Sequence, residues 1–380
     1  MNILIACDSF KGSLSSTEVC KTISEILNKE DIDTVVCPLA DGGEGTVDAF
    51  RNAIKCEAVT TTVHDPLMRK ISAQYVIAEN TAIIEMAAAS GITLLKENEL
   101  NPEITSTYGT GELIRHAIET GCTKIIIGIG GSATNDGGKG CLEALGAVFT
   151  DKNAESLKSG GASLKELEAI DLTNFKKVSD YAELIIACDV TSPLFGENGA
   201  TKVFARQKGA DSQQIEKLEK ALIHFGEKSK ELSGNDYSTL PGTGAAGGLG
   251  FALVAFCGGK LTSGFDAVSN ALSLEEKIKA CDIVITGEGK TDNSTLLGKL
   301  PMSVAKLSEK HNKPCILLSG DIEDSVDFSD YFYKTYRCRL PSDSTETAIK
   351  NAKARLLTAT EKLLKDLKDS YEKNCTFRFR

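Results

Sequence analysis

Five short stretches, each acidic or glycine-rich, directly follow apolar runs. "NILIAC" leads into Asp8, Ser9, Lys11 and Gly12, and "TVVCPLA" into Asp41, Gly42, Gly43 and Glu44. "TKIIIGI" leads into Gly130, Gly131, Ser132, Asn135 and Asp136. "ELIIAC" ends at Asp189, and "DIVIT" at Gly287, Glu288, Gly289, Lys290 and Asp292. One such stretch reads as a tight turn or a helix cap. Five in one chain, all behind apolar runs, point to phosphoryl transfer. Glycines let backbone N–H groups approach phosphate oxygens, and carboxylates hold Mg²⁺. A further carboxylate accepts the proton of an acceptor hydroxyl, and lysines meet the developing charge.

Two familiar nucleotide signatures do not fit. "GEGKT" ends like a P-loop, but the first glycine of that loop belongs at position 284, which is Val284 within the apolar run. "GIGGSATNDGG" lacks the spacing of a dinucleotide fingerprint. "GTGAAGGLG", from Gly242 to Gly250, suits either a helix start packed closely against a neighbour or one facing phosphate. His64, His116, His224 and His311 are scattered, which argues against a histidine metal site or triad. His64 reads as a turn residue beside Pro66, and Asp321 as a cap. The 12 cysteines show no C-x-x-C pair and read as buried thiols of a cytoplasmic protein.

The elements that must carry these residues alternate. "NILIAC", "TVVCPLA", "TKIIIGI", "ELIIAC", "DIVITG" and "PCILLSG" read as strands, and amphipathic stretches between them read as helices. "SSTEVCKTISEIL" places Val19, Ile23, Ile26 and Leu27 on one helical face, with Ser15 and Glu18 as a capping box. A closing helix is expected from Thr345 to Lys368. Fully apolar strands between helices predict a parallel sheet covered on both faces. From Val59 to Ala89 the pattern changes to apolar–polar alternation, the sign of a mixed or antiparallel sheet. This predicts an inserted domain over residues 61–273, within a domain made of 1–60 and 274–380. Ligands in open α/β sheets bind beyond the carboxyl ends of the strands, where all five stretches fall.

As a set, these motifs resemble the bacterial type-1 glycerate kinase family. The matching stretches are "DSFKGSLS", "ADGGEGT", "GIGGSATNDGG", "ACDVTSPL" with "GENGAT", "GTGAAGGLG" and "TGEGKTD" followed by "GK". "NPEITSTYGTGELI" and "QKGA" are similar as well, so the likeness runs from Asp8 to Pro301. The resemblance implies ATP- and Mg²⁺-dependent phosphorylation of D-glycerate, to 2-phosphoglycerate more than to 3-phosphoglycerate. It also implies an α/β architecture, with a Rossmann-like domain interrupted by a second α/β domain of mixed sheet and the site in the cleft between them. The chain departs from the family's habit at Lys290, where arginine is common, and at Met68 in "DPLMR", where glycine is common.

Within that reading, Asp189 is the expected general base, with turn capping as its structural alternative. Lys11 and Lys290 are the expected contacts to phosphate or glycerate carboxylate, against a role as solvated loop lysines. Asp8, Ser9, Gly130, Gly131, Ser132, Asn135, Asp136 and Glu288 are assigned to substrate or phosphate, and Asp41, Glu44 and Asp292 to the metal. The alternatives are a kinase for another small hydroxy or sugar acid, and a non-catalytic nucleotide- or solute-binding protein. The latter has little use for so many loop carboxylates without a metal.

The bulk numbers set the frame. The 380 residues suffice for two or three domains, and 41% hydrophobic with 25% charged residues is a globular balance. A net charge of −10 argues against nucleic acid or an anionic membrane as partner. No apolar run reaches membrane-spanning length, and the N-terminus reads as a strand, not a signal peptide. The reading leaves room for a homodimer.

Overall fold

The computed structural model describes residues 1–30, 32–40 and 45–372. Contacts divide the chain into two compact units. One is built from Met1–Asp41, Asp48–Lys55 and Val268–Arg380, the other from Gly42–Val47 and Cys56–Ala267.

In the first unit five strands form an all-parallel sheet, in the order Lys334–Arg337, Cys315–Ser319, Ile283–Thr286, Asn2–Ile5, Asp33–Val36. The three central strands are largely buried apolar runs, among them Ile3, Leu4, Ile5, Ile283, Val284, Ile285, Ile316 and Leu317. Such strands need cover on both faces, and parallel neighbours need long crossovers. The Ser16–Leu27 helix is one such crossover. Its capping box forms as the sequence predicts: the Glu18 N–H donates to Ser15 Oγ at 3.2 Å and the Ser15 N–H to Glu18 Oε2 at 2.8 Å. Val19, Ile23 and Leu27 share a core with Leu356, Leu363 and Leu367 of the last helix. Each such side chain contributes about 1.5–3 kcal/mol by leaving water.

The strand order reverses beside Asn2–Ile5. The chain first moves to Asp33–Val36 on one side, then returns to Ile283–Thr286 on the other and continues outward. Loops leaving the carboxyl ends of Asn2–Ile5 and Ile283–Thr286 therefore open the crevice where α/β sheets bind ligands.

In the second unit six strands run in the order Lys260–Thr262, Glu183–Ala187, Lys124–Gly128, Thr81–Glu85, Lys70–Ala78, Glu57–His64. The first four are parallel, and Lys70–Ala78 is antiparallel to both its neighbours. The change follows the sequence pattern. Ile125, Ile126 and Ile127 are all buried, whereas half of Glu57–His64 is exposed, in a largely alternating pattern. The hairpin between the antiparallel strands closes on buried Asp65, whose Oδ1 accepts from the Leu67 and Arg69 N–H groups at 2.8 and 2.9 Å. Met68 in that turn has φ 63°, in the left-handed region.

One expectation needs correction. The closing helix is two helices, Thr345–Lys350 and Ala352–Glu372. Asn351 separates them, its side-chain amide donating to the Thr347 carbonyl at 3.0 Å. The strands Lys260–Thr262 and Lys334–Arg337 carry too little apolar sequence to have been anticipated. The apolar runs divide between a parallel and a mixed sheet, as the change of pattern suggests. Among the described residues, eleven cysteines form no disulfide, and all but Cys56 and Cys188 are buried. No helix among the described residues is long and apolar enough to cross a membrane.

Candidate active site

In the first unit, three loops meet at the carboxyl edge of the sheet. The Asp8 N–H donates to the Gly287 carbonyl at 2.9 Å, and the Asp321 N–H to the Gly289 carbonyl at 3.0 Å. Contact is so close at Gly287 that a Cβ there would lie 1.9 Å from the Leu318 carbonyl oxygen. Glycine is required at that point by space alone. Asp8, Ser9, Lys11, Glu288, Lys290 and Asp292 are thus brought to one edge. Asp8 accepts from the Ser9 N–H at 2.6 Å, and Lys11 is exposed.

Glu288 is the buried member of this group, 7% exposed. Its Oε1 accepts from the Thr291 and Thr295 hydroxyls at 3.1 and 2.7 Å. Its Oε2 lies 3.8 Å from Lys299 Nζ. Burial pushes its pKa up, against the Thr295 hydroxyl and the Lys299 charge. Asp292 behaves in the opposite way. It caps the Asn293–Leu296 turn, Oδ1 accepting from the Ser294 hydroxyl and, at 2.9 Å, from the Ser294 N–H. These bonds hold its carboxyl below the usual range. Lys299 and Lys290 stand 3.6 and 3.8 Å from its oxygens.

Asp292 is therefore a poor metal ligand as placed, because one oxygen is engaged in capping and two ammonium groups compete for the pair. Asp41 and Glu44, the other two carboxylates assigned to Mg²⁺, lie outside the described residues. Asp321 does not cap a helix. Its carboxylate pairs with Arg339 at 2.7 Å and with Arg337 at 3.5 Å.

In the second unit, the loops after Lys124–Gly128 and Glu183–Ala187 leave neighbouring strands side by side, since Gly128 pairs with Ala187. Gly130, Gly131 and Asp189 are exposed at this edge. Asp189 Oδ1 accepts from the N–H of Gly264, first residue of the Gly264–Ala271 helix, at 2.9 Å. Ser132 is nearly buried, and its Oγ accepts from Lys208 Nζ at 2.7 Å. Glu85, at the end of the Thr81–Glu85 strand, accepts from the Val47 N–H at 2.7 Å.

Asn135 and Asp136 lie deeper than their assignment to substrate requires, both fully buried. Asp136 Oδ2 accepts from the Thr107 N–H, the Thr107 hydroxyl and the Gly140 N–H at 2.8, 2.9 and 3.2 Å. Its Oδ1 accepts from the Gly138 N–H at 3.0 Å. This carboxylate ties two loops together and has no exposed face for a ligand. Asn135 donates to the Thr201 hydroxyl at 3.0 Å, and its Oδ1 is buried with no partner among the described residues. "GTGAAGGLG" resolves to close packing: a Cβ on Gly247 would lie 2.1 Å from the Thr134 carbonyl oxygen. The Gly137 N–H donates to the Gly247 carbonyl at 2.9 Å.

Three participants escaped the sequence reading. Lys299 and Lys208 sit in the quoted "GK" and "QKGA" motifs, where nothing marks one lysine as interior and the other as bridging two carboxylates. Glu85 had the same signal as the others, a carboxylate at a strand end, in "TAIIE".

The comparisons with known proteins give the family and the fold. The model of the glycerate kinase family matches residues 3–368. The chain is 45% identical over 330 residues to the glycerate 2-kinase of Escherichia coli (strain K12), covering 86% of this chain and 87% of that one. It is 40% identical to a glycerate kinase of Bacillus subtilis (strain 168), covering 85% of each. A crystal structure from Salmonella typhimurium LT2, of a candidate glycerate kinase 2, superimposes with a TM-score of 0.88 at 40% identity. That match covers 98% of this chain and 99% of the other.

Proposed function

The chain belongs to the glycerate kinase family, and we propose that it transfers the γ-phosphoryl group of ATP to the C2 hydroxyl of D-glycerate. The observation that carries the reading is the gathering of glycines, carboxylates and lysines at the carboxyl ends of the parallel strands, with Lys11, Lys290, Gly130, Gly131 and Asp189 exposed there. The name of the Escherichia coli relative supports 2-phosphoglycerate as the product.

Asp189 is the group that accepts the acceptor hydroxyl's proton. It is exposed at a strand end, and the Gly264 N–H fixes one of its oxygens. An alcohol is a weak acid and the transition state is loose, so this carboxylate chiefly orients the hydroxyl. Gly130 and Gly131 present backbone N–H groups to an anion, and Lys11 and Lys290 meet charge on the phosphates or the glycerate carboxylate. Asp8, Ser9 and Glu288 line the sheet edge of the first unit beside Lys11 and Lys290. Mg²⁺, when bound, neutralises phosphate charge, and Asp41 and Glu44 are the residues that would hold it.

A coupled assay following ADP release tests the proposal, with D-glycerate, tartronate and erythronate compared as acceptors. D-Glycerate should have the highest kcat/KM. ATP consumption with none of the three overturns the reading if it exceeds no blank, and preference for another acid replaces the substrate. Asp189→Asn should lower kcat by about 100-fold or more while ATP binds within about twofold of wild type. Retained turnover removes Asp189 from the role.

A further inference from the structure

Lys208 is the second unit's most unusual side chain. It is 2% exposed and forms no ion pair among the described residues. Lys139, equally buried, has Glu143 at 2.7 Å. The Lys208 ammonium donates instead to Ser132 Oγ at 2.7 Å and to the Thr134 carbonyl at 2.6 Å. Burial lowers its pKa to about 7, with the charge of Asp136 opposing the shift. A lysine buried without a carboxylate destabilises the fold, and an apolar side chain of similar length relieves that cost.

Both acceptors belong to the loop that carries Gly130 and Gly131 on its exposed side. The loop is anchored at its other edge by the Ile92 N–H donating to the Gly131 carbonyl at 2.9 Å. A cation is thus fixed on the buried side of an exposed glycine turn. We propose that Lys208 is a positioning residue for an anion site, holding Ser132 and charging the Gly130–Ser132 turn so that it receives an anionic oxygen group of a substrate. The group is a phosphate of ATP or the carboxylate of glycerate. The inference rests on the kinase reading for the identity of these two ligands.

Calorimetric titration of wild type, Lys208→Met and Ser132→Ala with D-glycerate and with ATP in Mg²⁺ buffer separates the possibilities. Lys208→Met should weaken one ligand by about tenfold or more, as expected for losing a charge-assisted contact. Its thermal midpoint should equal or exceed that of wild type. Ser132→Ala should weaken the same ligand by a smaller factor. Loss confined to D-glycerate assigns the turn to the carboxylate, and loss confined to ATP assigns it to phosphate. Lys208→Met binding both ligands within twofold of wild type overturns the inference. So does equal loss of both with a lowered midpoint, the mark of structural damage. If Lys208→Met does not fold, Ser132→Ala decides: unchanged affinity for both ligands overturns the inference. Wild-type turnover is measured alongside. Turnover with unchanged Lys208→Met binding removes the inference and leaves the kinase reading. Binding that weakens in Lys208→Met without wild-type turnover does the reverse, and a wild type that binds neither ligand overturns both.

Discussion

Glu288 and Lys208 are ionisable groups that burial moves in opposite directions, and the two signs are separately measurable. Lys208 has a folded pKa of about 7 against an ordinary 10.5. Between those values the unfolded chain binds more protons than the folded one, so this group makes stability rise as pH climbs from 7 towards 10.5. Denaturant unfolding at pH 7 and pH 9 should show a gain in wild type that is smaller in Lys208→Met. Parallel behaviour of the two proteins contradicts a buried, depressed lysine. Glu288 has a raised pKa, so its contribution is present below the ordinary value of 4.5 and is lost as pH rises through the folded value. Glu288→Gln should therefore be more stable than wild type at neutral pH, with the difference closing below pH 4.5. Wild type remaining the more stable at neutral pH contradicts this. At this scale the sequence shows which residues follow strands but not which way they turn. Asp136 and Asp189 look alike as loop carboxylates, yet one is buried under four bonds and the other is exposed.

The turn after Glu57–His64 and the loop before Leu249 show how far local pattern determines an element. Met68 holds φ 63° where most side chains crowd their own backbone. Met68→Gly relieves that strain at some cost in unfolded-state entropy, and should stabilise the second unit by about 0.5–1 kcal/mol. An unchanged or lowered unfolding midpoint refutes it. Gly247 has φ 66°, and a Cβ there would meet the Thr134 carbonyl oxygen at 2.1 Å. Gly247→Ala should cost about 1–3 kcal/mol, since the loop carrying Thr134 and Asn135 must shift. A variant as stable as wild type contradicts the interlocked arrangement. Capping boxes and apolar periodicity were legible, as at Ser15 and Glu18, because their partners lie within one helical turn. The break at Asn351 was not. It depends on a side chain bonding its own helix, which periodicity cannot register. The polar edge strand Lys334–Arg337 was invisible for the same reason, since its pairing lies with Cys315–Ser319 and not in its own sequence.

At the scale of the whole molecule, alternating apolar strands and amphipathic helices made an α/β fold readable, and the change at Val59 marked the mixed sheet. What stayed hidden was the order of the strands within each sheet. "DIVIT" and "ELIIA" carry the same local signal, and only long-range pairing sets the first beside Asn2–Ile5 and the second beside Lys124–Gly128. That pairing sets the chemistry: Glu288 and Lys290 join Asp8 at one sheet edge, and Asp189 joins Gly130 at the other. An acidic chain of net charge −10 must meet anionic substrates through such local donors. The central claim is phosphoryl transfer from ATP to glycerate, and phosphorus NMR of the protein with ATP, Mg²⁺ and D-glycerate tests it most directly. The account predicts that the ATP γ resonance is replaced, one for one, by the phosphomonoester resonance of 2-phosphoglycerate. A spectrum in which ATP persists unchanged contradicts it.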